Sequence, residues 1–324
     1  MTAQTGDTID ILLATYNGQA FLEEQLDSIA AQTHGDWRLI ARDDGSTDRT
    51  PEILDAFRTR HPGKVVVLED GDGNLGLVRN FSRLMAYSDA PYAAFCDQDD
   101  VWIPEKLDLS LAKMRELERE HGNGTPLLVF TDLTVVDEGL EVVHDSFWRY
   151  ADLDPAAINN VSNMMIGNVV TGCTLIMNEV LRDSAVPIPD EAVVHDWWIA
   201  ASASMFGKAA HIDRPTVLYR QHGGNSMGAV PYHKKSLSQL IRDFAQHYQA
   251  KKDDLSAAYR QTEALRDRHE DRLAVDVRHF VERFLAMRDH NIVWRLRECQ
   301  AFDRLRDRPL RALSFAVLSS RRRL

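Results

Sequence analysis

Residues 92–102 read YAAFCDQDDVW, an apolar run followed directly by three carboxylates within four residues. The run from Tyr92 to Cys96 is typical of a buried strand, so the acids are expected where that strand leaves the sheet. Carboxylates this close raise one another's pKa, and a divalent cation with oxygen ligands relieves the repulsion. An acidic turn before a helix that opens at Pro104 is the alternative. Alone, the segment favours a cation site at a sheet edge and leaves the acidic turn open.

Strand and helix patterns alternate on both sides of this segment. The expected strands are residues 9–14, 37–41, 65–68, 92–96, 127–130, 174–177 and 216–219, and the expected helices are residues 19–32, 51–60, 77–88, 104–120 and 196–206. Such alternation indicates an α/β fold with an open, mostly parallel sheet flanked by helices. From Pro231 onward the pattern is helical, after a cluster of glycines. The chain is therefore expected to divide into a sheet domain, 1–230, and a helical C-terminal region, 231–324.

Three of the expected strands end in polar signatures, TYNG at 15–18, DDGS at 43–46 and DQDD at 97–100. Ligands of open α/β sheets bind beyond the carboxyl ends of the strands, so these signatures are expected to meet at one edge. Polar turn residues are common at strand ends. Acidic and aromatic side chains at three such ends nevertheless favour a nucleotide site.

A GDGNLG segment at 71–76 matches the dinucleotide fingerprint GxGxxG. That fingerprint usually follows the first strand, where its backbone meets a pyrophosphate. Here it follows the third, with Asp70 and Asp72 beside the would-be phosphates. The segment therefore predicts a turn.

Composition is that of a globular protein, with 44% apolar and 27% charged residues. The formal charge of −11 argues against general nucleic-acid binding. Three widely spaced cysteines argue against a disulfide framework and suit a reducing cytosol. The polar N-terminus lacks a signal peptide, and no apolar run approaches the ~18 residues that span a bilayer. A cytoplasmic protein is expected.

Charge is unevenly distributed along the chain. Residues 294–324 carry nine arginines against three acids, a net of +6, whereas residues 1–293 carry −17. Within this tail, the apolar stretch 310–318 is flanked by Arg308, Arg311 and Arg321–Arg323. A short basic amphipathic helix can lie in an anionic leaflet. The tail therefore favours a peripheral contact with the inner face of the plasma membrane, with a solvated helix or a homo-oligomer contact as the alternative.

In order and combination, the motifs resemble the family 2 glycosyltransferases with the GT-A fold, over residues 9–230. They are ATYN at 14–17, DDGSTD at 43–48, NLG through RN at 74–80, DQDDVWIP at 97–104, HDWW at 195–198 and YRQHGGN at 219–225. The central segments and the YRQH ending are similar to bacterial rhamnosyltransferases of cell-wall and O-antigen polysaccharide synthesis. The resemblance implies a dTDP- or UDP-sugar donor, dTDP-rhamnose above all. It also implies Mg²⁺ or Mn²⁺ and a glycan or polyprenyl-diphosphate-linked acceptor.

The resemblance further implies a nucleotide site. Asp44 would accept the N3–H of uracil or thymine and cannot choose between them, because both bases offer that donor. Arg79 would approach the diphosphate, for which a planar cation is suited. The implied set is Thr15, Tyr16, Asn17, Asp44, Arg79 and Asp97, with Tyr16 against the base and Asp97 at the ribose or a metal-bound water. The alternatives are a core aromatic for Tyr16, a helix cap for Asp44 and a solvated helix residue for Arg79.

The remaining implied roles concern metal, sugar and chemistry. Asp99, Asp100 and His222 would bind the metal, with Asp99 the first choice as a direct ligand. Asp196 would be the base of an inverting transfer, although Asp also favours a helix N-cap. The sugars would be contacted by Thr171 and Gly172 on the donor side and by Trp197 and Trp198, whose rings can also serve as core.

Two features of processive members of this family are missing from the sequence, and their absence narrows the expected activity. The QxxRW element and the membrane spans of processive polysaccharide synthases are absent from the sequence, so the addition of one or a few sugars is expected.

A sugar nucleotidyltransferase is one rival function, but the loop after the first strand, YNGQA at 16–20, lacks the basic residue that such enzymes use. A non-catalytic nucleotide-sugar-binding module is the other, and the acids at Asp99 and Asp196 argue against it.

Overall fold

The structure is a computed structural model that describes residues 6–225, 228–229, 231, 239, 242, 246–306 and 309–319. In these residues, nine strands form one sheet. They are β1 (Ile9–Thr15), β2 (Trp37–Asp43), β3 (Val65–Val67), β4 (Tyr92–Cys96), β5 (Val101–Trp102), β6 (Leu127–Val136), β7 (Val142–His144), β8 (Ile176–Asn178) and β9 (Lys208–Arg220).

The sheet has the order β3-β2-β1-β4-β8-β6-β9-β5, with β7 beside β6. Its first half is parallel, because β1 pairs in parallel with both β2 and β4, and β2 with β3. The second half is mixed: β8 runs antiparallel to β4 and β6, while β9 runs parallel to β6. Every residue of β1 is buried, as a central parallel strand covered on both faces requires. The predicted α/β fold is thus confirmed, but the sheet is mixed rather than mostly parallel, because four of its eight strand pairings are antiparallel.

Helices cover both faces of the sheet. They are α1 (Leu22–Ala30), α2 (Thr50–Arg60), α3 (Leu77–Tyr87), α4 (Lys106–His121), α5 (Phe147–Tyr150), α6 (Val161–Ile166), α7 (Glu179–Ala185) and α8 (His195–Phe206), followed by α9 (Tyr248–Arg268), α10 (Val275–Ala286), α11 (Ile292–Glu298), α12 (Asp303–Arg306) and α13 (Pro309–Leu318). The helical C-terminal region is therefore confirmed as helical.

Strand β5 lies inside the acidic segment and was not expected. Val101 and Trp102 pair antiparallel with Leu218 and Val217 of β9. The expected strand 216–219 is in fact the end of a strand of 13 residues, Lys208–Arg220. This pairing brings the end of β9 next to the acids that follow β4, so two motifs more than a hundred residues apart form one site.

The C-terminal helices share a hydrophobic core with the sheet domain. Phe284 of α10 and Phe315 of α13 belong to the same buried cluster as Phe81 of α3 and Trp198 of α8. The C-terminal region therefore packs on the α3/α8 face of the sheet. The boundary at 230/231 lies beside residues 232–238, which are outside the described residues, and it stays a prediction.

The apolar stretch of the basic tail forms helix α13. Ala312, Phe315 and Ala316 are buried in the core, whereas Leu313 is 47% exposed. Arg308 and Arg321–Arg323 lie outside the described residues. Most of the apolar face is thus used in packing, and membrane contact stays a prediction. Among the described helices, none combines the length and apolar character that a membrane span needs.

Candidate active site

The carboxyl ends of β1, β2 and β4 meet at one sheet edge, as predicted. Thr15 is in register with Asp43, and its hydroxyl donates to the Asp43 carboxylate over 3.0 Å. The Gln98 amide bridges β4 to β1: Tyr16 N donates to Gln98 Oε1 at 2.8 Å, and Gln98 Nε2 donates to Tyr16 O at 3.0 Å. A Cβ on Gly18 would lie 2.3 Å from Gln98 Oε1, so glycine at this position makes room for the bridge.

Of the three residues predicted at the first strand end, Tyr16 and Asn17 are exposed and Thr15 is buried. Tyr16 is 50% exposed. Asn17 adopts φ of +48° and shapes the turn, since its side-chain oxygen accepts from Thr47 N at 2.9 Å. Thr15 and Asn17 therefore have structural partners, and their contact with a nucleotide stays a prediction.

Asp44 is buried beneath the loop that follows β3. Its Oδ1 accepts from Arg42 Nη1 at 2.6 Å and from Leu75 N at 2.7 Å, and its Oδ2 accepts from Gly76 N at 2.8 Å. The GDGNLG segment is thus a loop fastened by a carboxylate, which agrees with the predicted turn. One lone pair of Oδ2 remains for another donor such as a base N3–H.

Arg79 lies in the first turn of α3 and forms a bidentate ion pair with Asp190. Arg79 Nε and Nη2 donate to the two Asp190 oxygens at 2.8 and 2.6 Å. Both side chains are more than half exposed. A diphosphate that binds Arg79 would have to replace this carboxylate or share the guanidinium with it.

The three acids of the DQDD segment have different surroundings. Asp99 Oδ2 contacts His222 Nε2 at 2.9 Å, which unites two of the three predicted metal ligands. Asp100 is fully buried; its Oδ1 accepts from Arg220 N at 3.2 Å, and its Oδ2 has no hydrogen-bond partner in the structure. Asp97 is partly exposed and lies near Asp100 and Cys173. One carboxylate oxygen of each aspartate and the Cys173 Sγ all lie within 4.8 Å of one another.

This acid cluster fits a divalent cation. Burial raises the pKa of Asp97 to about 7, and the carboxylates of Asp99 and Asp196 contribute to the rise. Burial raises the pKa of Asp100 well above its usual range, helped by Asp99 and Asp97. Crowded carboxylates with an unpaired buried oxygen are the donor set that a cation stabilises. Which of the acids ligate it stays a prediction.

Asp196 lies in the first turn of α8, whose N-cap is Val194, so the alternative of an N-cap does not apply. Asp196 Oδ1 accepts from Asn168 Nδ2 and Oδ2 accepts from Gly172 N, both at 3.0 Å. Burial raises the pKa of Asp196 to about 7. A carboxylate that is oriented by two donors and titrates near neutrality has the properties of a general base.

The residues predicted to contact sugars are placed differently from one another. Gly172 lies against Asp196 through its N–H, and Thr171 directly precedes it. Trp198 is fully buried and donates from Nε1 to Ala185 O at 2.9 Å, which leaves its ring no face for an acceptor; this corrects the expectation for Trp198. Trp197 is partly buried and donates to Met164 O at 2.6 Å, so its sugar contact stays a prediction.

His195 supports this corner of the site. Its ring stacks on Phe81 with centroids 3.9 Å apart and lies 5.1 Å from Phe95. Burial lowers the pKa of His195 to about 3, so the imidazole is neutral. A Cβ on Gly172 would lie 2.8 Å from His195 Nε2. The absence of a side chain at Gly172 therefore allows the helical turn Gly172–Thr174 to lie directly against the imidazole of His195 and beside Asp196.

Sequence reasoning assigned no role to several residues that organise the site. Arg220 donates from Nε to Asp99 O at 2.9 Å, and its guanidinium lies 4.6 Å from the Phe21 ring centroid and pairs with Glu24. Asn168 orients Asp196, and Cys173 lies beside Asp100. Arg220 lies in the YRQH motif, and Cys173 directly follows Thr171 and Gly172, which were predicted near the donor sugar, so the sequence held a signal for both. Asn168 had none, because its contact with Asp196 arises only in the tertiary structure.

The chain is similar to known proteins of one family. The family described as Glycosyl transferase family 2 matches residues 10–181, more than half of the chain. The chain is 30% identical over 228 residues to the dTDP-rhamnosyl transferase RfbG of Shigella flexneri, covering 67% of this chain and 74% of that protein. It is also 30% identical over 107 residues to the Escherichia coli glucosyltransferase WfgD, named for UDP-Glc and a diphosphoundecaprenol-linked acceptor, over 33% of this chain and 40% of WfgD.

A solved structure with the same fold is S. aureus TarS 1–349. It superimposes with a TM-score of 0.54 at 16% identity, over 96% of this chain and 90% of that one. This likeness shows the predicted GT-A fold. With the family match and the RfbG relative, it leads to one conclusion: this chain belongs to the family 2 glycosyltransferases.

Proposed function

We propose that this glycosyltransferase moves L-rhamnose from dTDP-rhamnose, with inversion and with a divalent cation, to a glycan or polyprenyl-diphosphate-linked acceptor in bacterial polysaccharide synthesis. The donor assignment is supported by RfbG, the relative named as a dTDP-rhamnosyl transferase. A UDP-sugar is the second candidate, because WfgD is named for UDP-Glc and TarS was solved with UDP. The nucleotidyltransferase and non-catalytic alternatives do not agree with membership of the family.

The observation that carries the proposal is the Asp196 carboxylate, held by Asn168 and Gly172 on the side of the acid cluster. The attacking hydroxyl oxygen would form a bond to the anomeric carbon as the bond to the diphosphate breaks. The hydroxyl proton would pass to Asp196. Acid–base assistance of this kind contributes ~10²–10⁴-fold to a rate.

The chain's other residues would hold the donor. Tyr16 would cover the base, Asp44 would accept its N3–H, and Arg79 would contact the diphosphate after leaving Asp190. Asp99, Asp100 and His222 would hold the Mg²⁺ or Mn²⁺ ion, whose contribution when bound is to neutralise the charge of the leaving diphosphate. Uracil and thymine both offer N3–H, so Asp44 does not select the base.

A donor screen tests the assignment. Nucleoside diphosphate release would be measured with dTDP-rhamnose, UDP-glucose, UDP-N-acetylglucosamine and GDP-mannose. The highest kcat/KM is expected with dTDP-rhamnose, and product NMR should show the anomeric configuration opposite to that of the donor. Preference for a UDP-sugar would replace the rhamnose proposal, and retained configuration would exclude an inverting role for Asp196.

Metal dependence is tested by binding as well as by turnover. Calorimetry with dTDP should show affinity that rises with Mg²⁺ or Mn²⁺ and weakens in Asp99→Ala. Asp55→Ala is the matched control, since Asp55 is exposed on α2 and pairs only at the surface with Arg58. Affinity that excess chelator leaves unchanged would contradict the metal role.

We also propose the peripheral membrane contact through the tail. Truncation before residue 294 would remove the buried Phe302 and Phe315, so the cleaner variant replaces Arg321, Arg322 and Arg323 with serine. The intact chain should sediment with anionic vesicles at low salt, and the variant should bind less, because each basic residue contributes about 1 kcal/mol near such a surface. Equal sedimentation of both would contradict the proposal.

A further inference from the structure

Two adjacent aliphatic side chains are exposed on the C-terminal helices. Val293 is 73% exposed and Ile292 is 39% exposed, both in the first turn of α11. Trp294 is partly buried beside them, and its ring lies against that of His290 with centroids 4.0 Å apart. Single exposed apolar residues need no explanation, but consecutive ones beside a tryptophan form a patch. We infer that this apolar patch, Ile292–Trp294, inserts into the surface of an anionic lipid layer.

The fold holds the apolar patch in position before any lipid is present. The Asn291 side chain accepts from Trp294 N at 3.0 Å and so caps α11. Behind the patch, the buried Arg295 donates from Nε to Met287 O at 2.7 Å and from Nη1 to Ala316 O at 3.0 Å. Because these bonds already order the backbone, insertion carries little cost in conformational entropy.

The end of the basic tail lies beside the apolar patch. Arg295 of α11 contacts Ala316 of α13, and Cys299 Sγ lies 3.7 Å from Ala312 O. The two helices are therefore antiparallel, so the first residues of α11 lie beside the last residues of α13. Arg321–Arg323 follow α13 within five residues, outside the described residues. The reach of an extended chain keeps these arginines within about 18 Å of the end of α13.

The charges near the apolar patch indicate the kind of surface that it meets. Arg297 is exposed on α11 and adds to the charge of Arg321–Arg323, whereas Glu298 is buried and paired with Arg283. The exposed Asp289 precedes the patch by three residues, and the arginines outnumber it. An apolar patch with cationic neighbours complements an anionic lipid surface. A second copy of the same patch would instead bring the arginines of both copies together.

The apolar patch supplies what the basic tail lacks. Most of the apolar face of α13 is buried in the core, so the tail contributes charge but few apolar side chains. One weak signal gives marginal, reversible membrane binding, and an apolar signal combined with a basic one gives stable anchoring. Ile292–Trp294 supply the apolar signal and Arg321–Arg323 the electrostatic one. The inference rests on the proposed membrane contact of the tail and names the residues that enter the lipid.

Vesicle sedimentation tests the insertion. Full-length protein without sugar donor would be mixed with vesicles of phosphatidylglycerol and phosphatidylcholine. The double variant Ile292→Ser/Val293→Ser is expected to lower the partition coefficient at least about tenfold, because two aliphatic side chains no longer leave water. Val142→Ser/Val143→Ser is the matched control, since these adjacent residues of β7 are 63% and 52% exposed and should not affect binding.

Salt separates the apolar contribution from the electrostatic one, because it screens charges and leaves apolar contacts intact. The binding that remains in Ile292→Ser/Val293→Ser should therefore disappear as salt rises. Wild-type binding by Ile292→Ser/Val293→Ser, together with loss of binding when Arg321–Arg323 are replaced by serine, would overturn the insertion and leave the tail contact standing. Absence of binding by the wild type would overturn both proposals without bearing on the transferase assignment.

A fluorescent probe reports insertion directly. The three native cysteines are buried, so Val293→Cys can be labelled selectively with an environment-sensitive dye. A blue shift with the anionic vesicles is expected at this position, and none is expected for Val142→Cys. Equal shifts at both positions would indicate non-specific adsorption and overturn the proposal. A shift that appears without lipid and grows with protein concentration would assign the patch to a second copy and overturn it as well.

Discussion

Replacement of Asp196 by asparagine is the sharpest test of how this enzyme works. Asparagine keeps the size of the side chain, and its Oδ1 can still accept the Gly172 N–H, but it cannot take a proton. We expect kcat to fall by ~10²–10⁴-fold while dTDP affinity stays near that of the wild type. Because burial places the pKa of Asp196 at about 7, wild-type kcat/KM should also depend on pH.

The pH dependence follows from the ionised fraction of the base. With a pKa of about 7, roughly a tenth of the carboxyl groups are ionised at pH 6, half at pH 7 and about nine tenths at pH 8. The wild-type kcat/KM should therefore rise about tenfold between pH 6 and pH 8. The residual kcat/KM of Asp196→Asn should rise less over the same pH range, because asparagine does not ionise.

The assay is initial-rate release of nucleoside diphosphate at saturating metal, with nucleotide affinity measured by calorimetry on the same samples. Asp55→Asn is the matched control, an identical substitution at an exposed carboxylate. The pKa of Asp97 is also about 7, so the pH dependence of kcat/KM should be measured for Asp97→Asn beside that of Asp196→Asn. Near-normal turnover of Asp196→Asn, or a wild-type rise that survives unchanged in it, would refute the assignment of Asp196 as the base.

Two further substitutions, each with a control, test the nucleotide site. Gly18→Ala would place a Cβ 2.3 Å from Gln98 Oε1, so we expect the hydrogen bonds between Gln98 and Tyr16 to break. The affinity for dTDP should then fall about 2- to 10-fold, which is the net contribution of one hydrogen bond. Gly35→Ala, whose Cβ would meet nothing within 4 Å, is the control and should leave this affinity unchanged. Arg79→Ala should lower dTDP affinity about 10- to 100-fold by calorimetry, as expected for a charge-assisted contact, whereas Asp190→Ala should maintain or raise it by freeing Arg79. Unchanged affinity in Arg79→Ala would show that the pair is only a surface ion pair.

The amino-acid sequence alone determined the order of the strands and helices through residue 130, apart from the short strand β5, and the sheet edge at which the candidate site lies. Residues 9–14, 37–41 and 92–96 are apolar runs with polar ends, and parallel strands bring such ends together whatever the details of packing. The acids after β4 could be recognised from their residue types, because three carboxylates within four residues are a local property of the sequence. Asp196 was implied only by the resemblance of the motif order to the family 2 glycosyltransferases. The turn at 71–76 could also be recognised, because carboxylates beside the would-be phosphates do not suit an anion site.

Only the tertiary structure decided which side chains are available for chemistry. The Trp198 side chain is buried in the core, and the Asp44 carboxylate accepts hydrogen bonds from the loop at 75–76. Both are buried because elements distant in sequence pack against them. Strand β5 and the approach of Cys173 to Asp100 depend on pairings across about 75 to 115 residues. Periodicity reports which face of an element is buried, but not which neighbour buries it. That choice follows from complementary shapes and hydrogen bonds across the whole sheet, which exist only once the chain has folded.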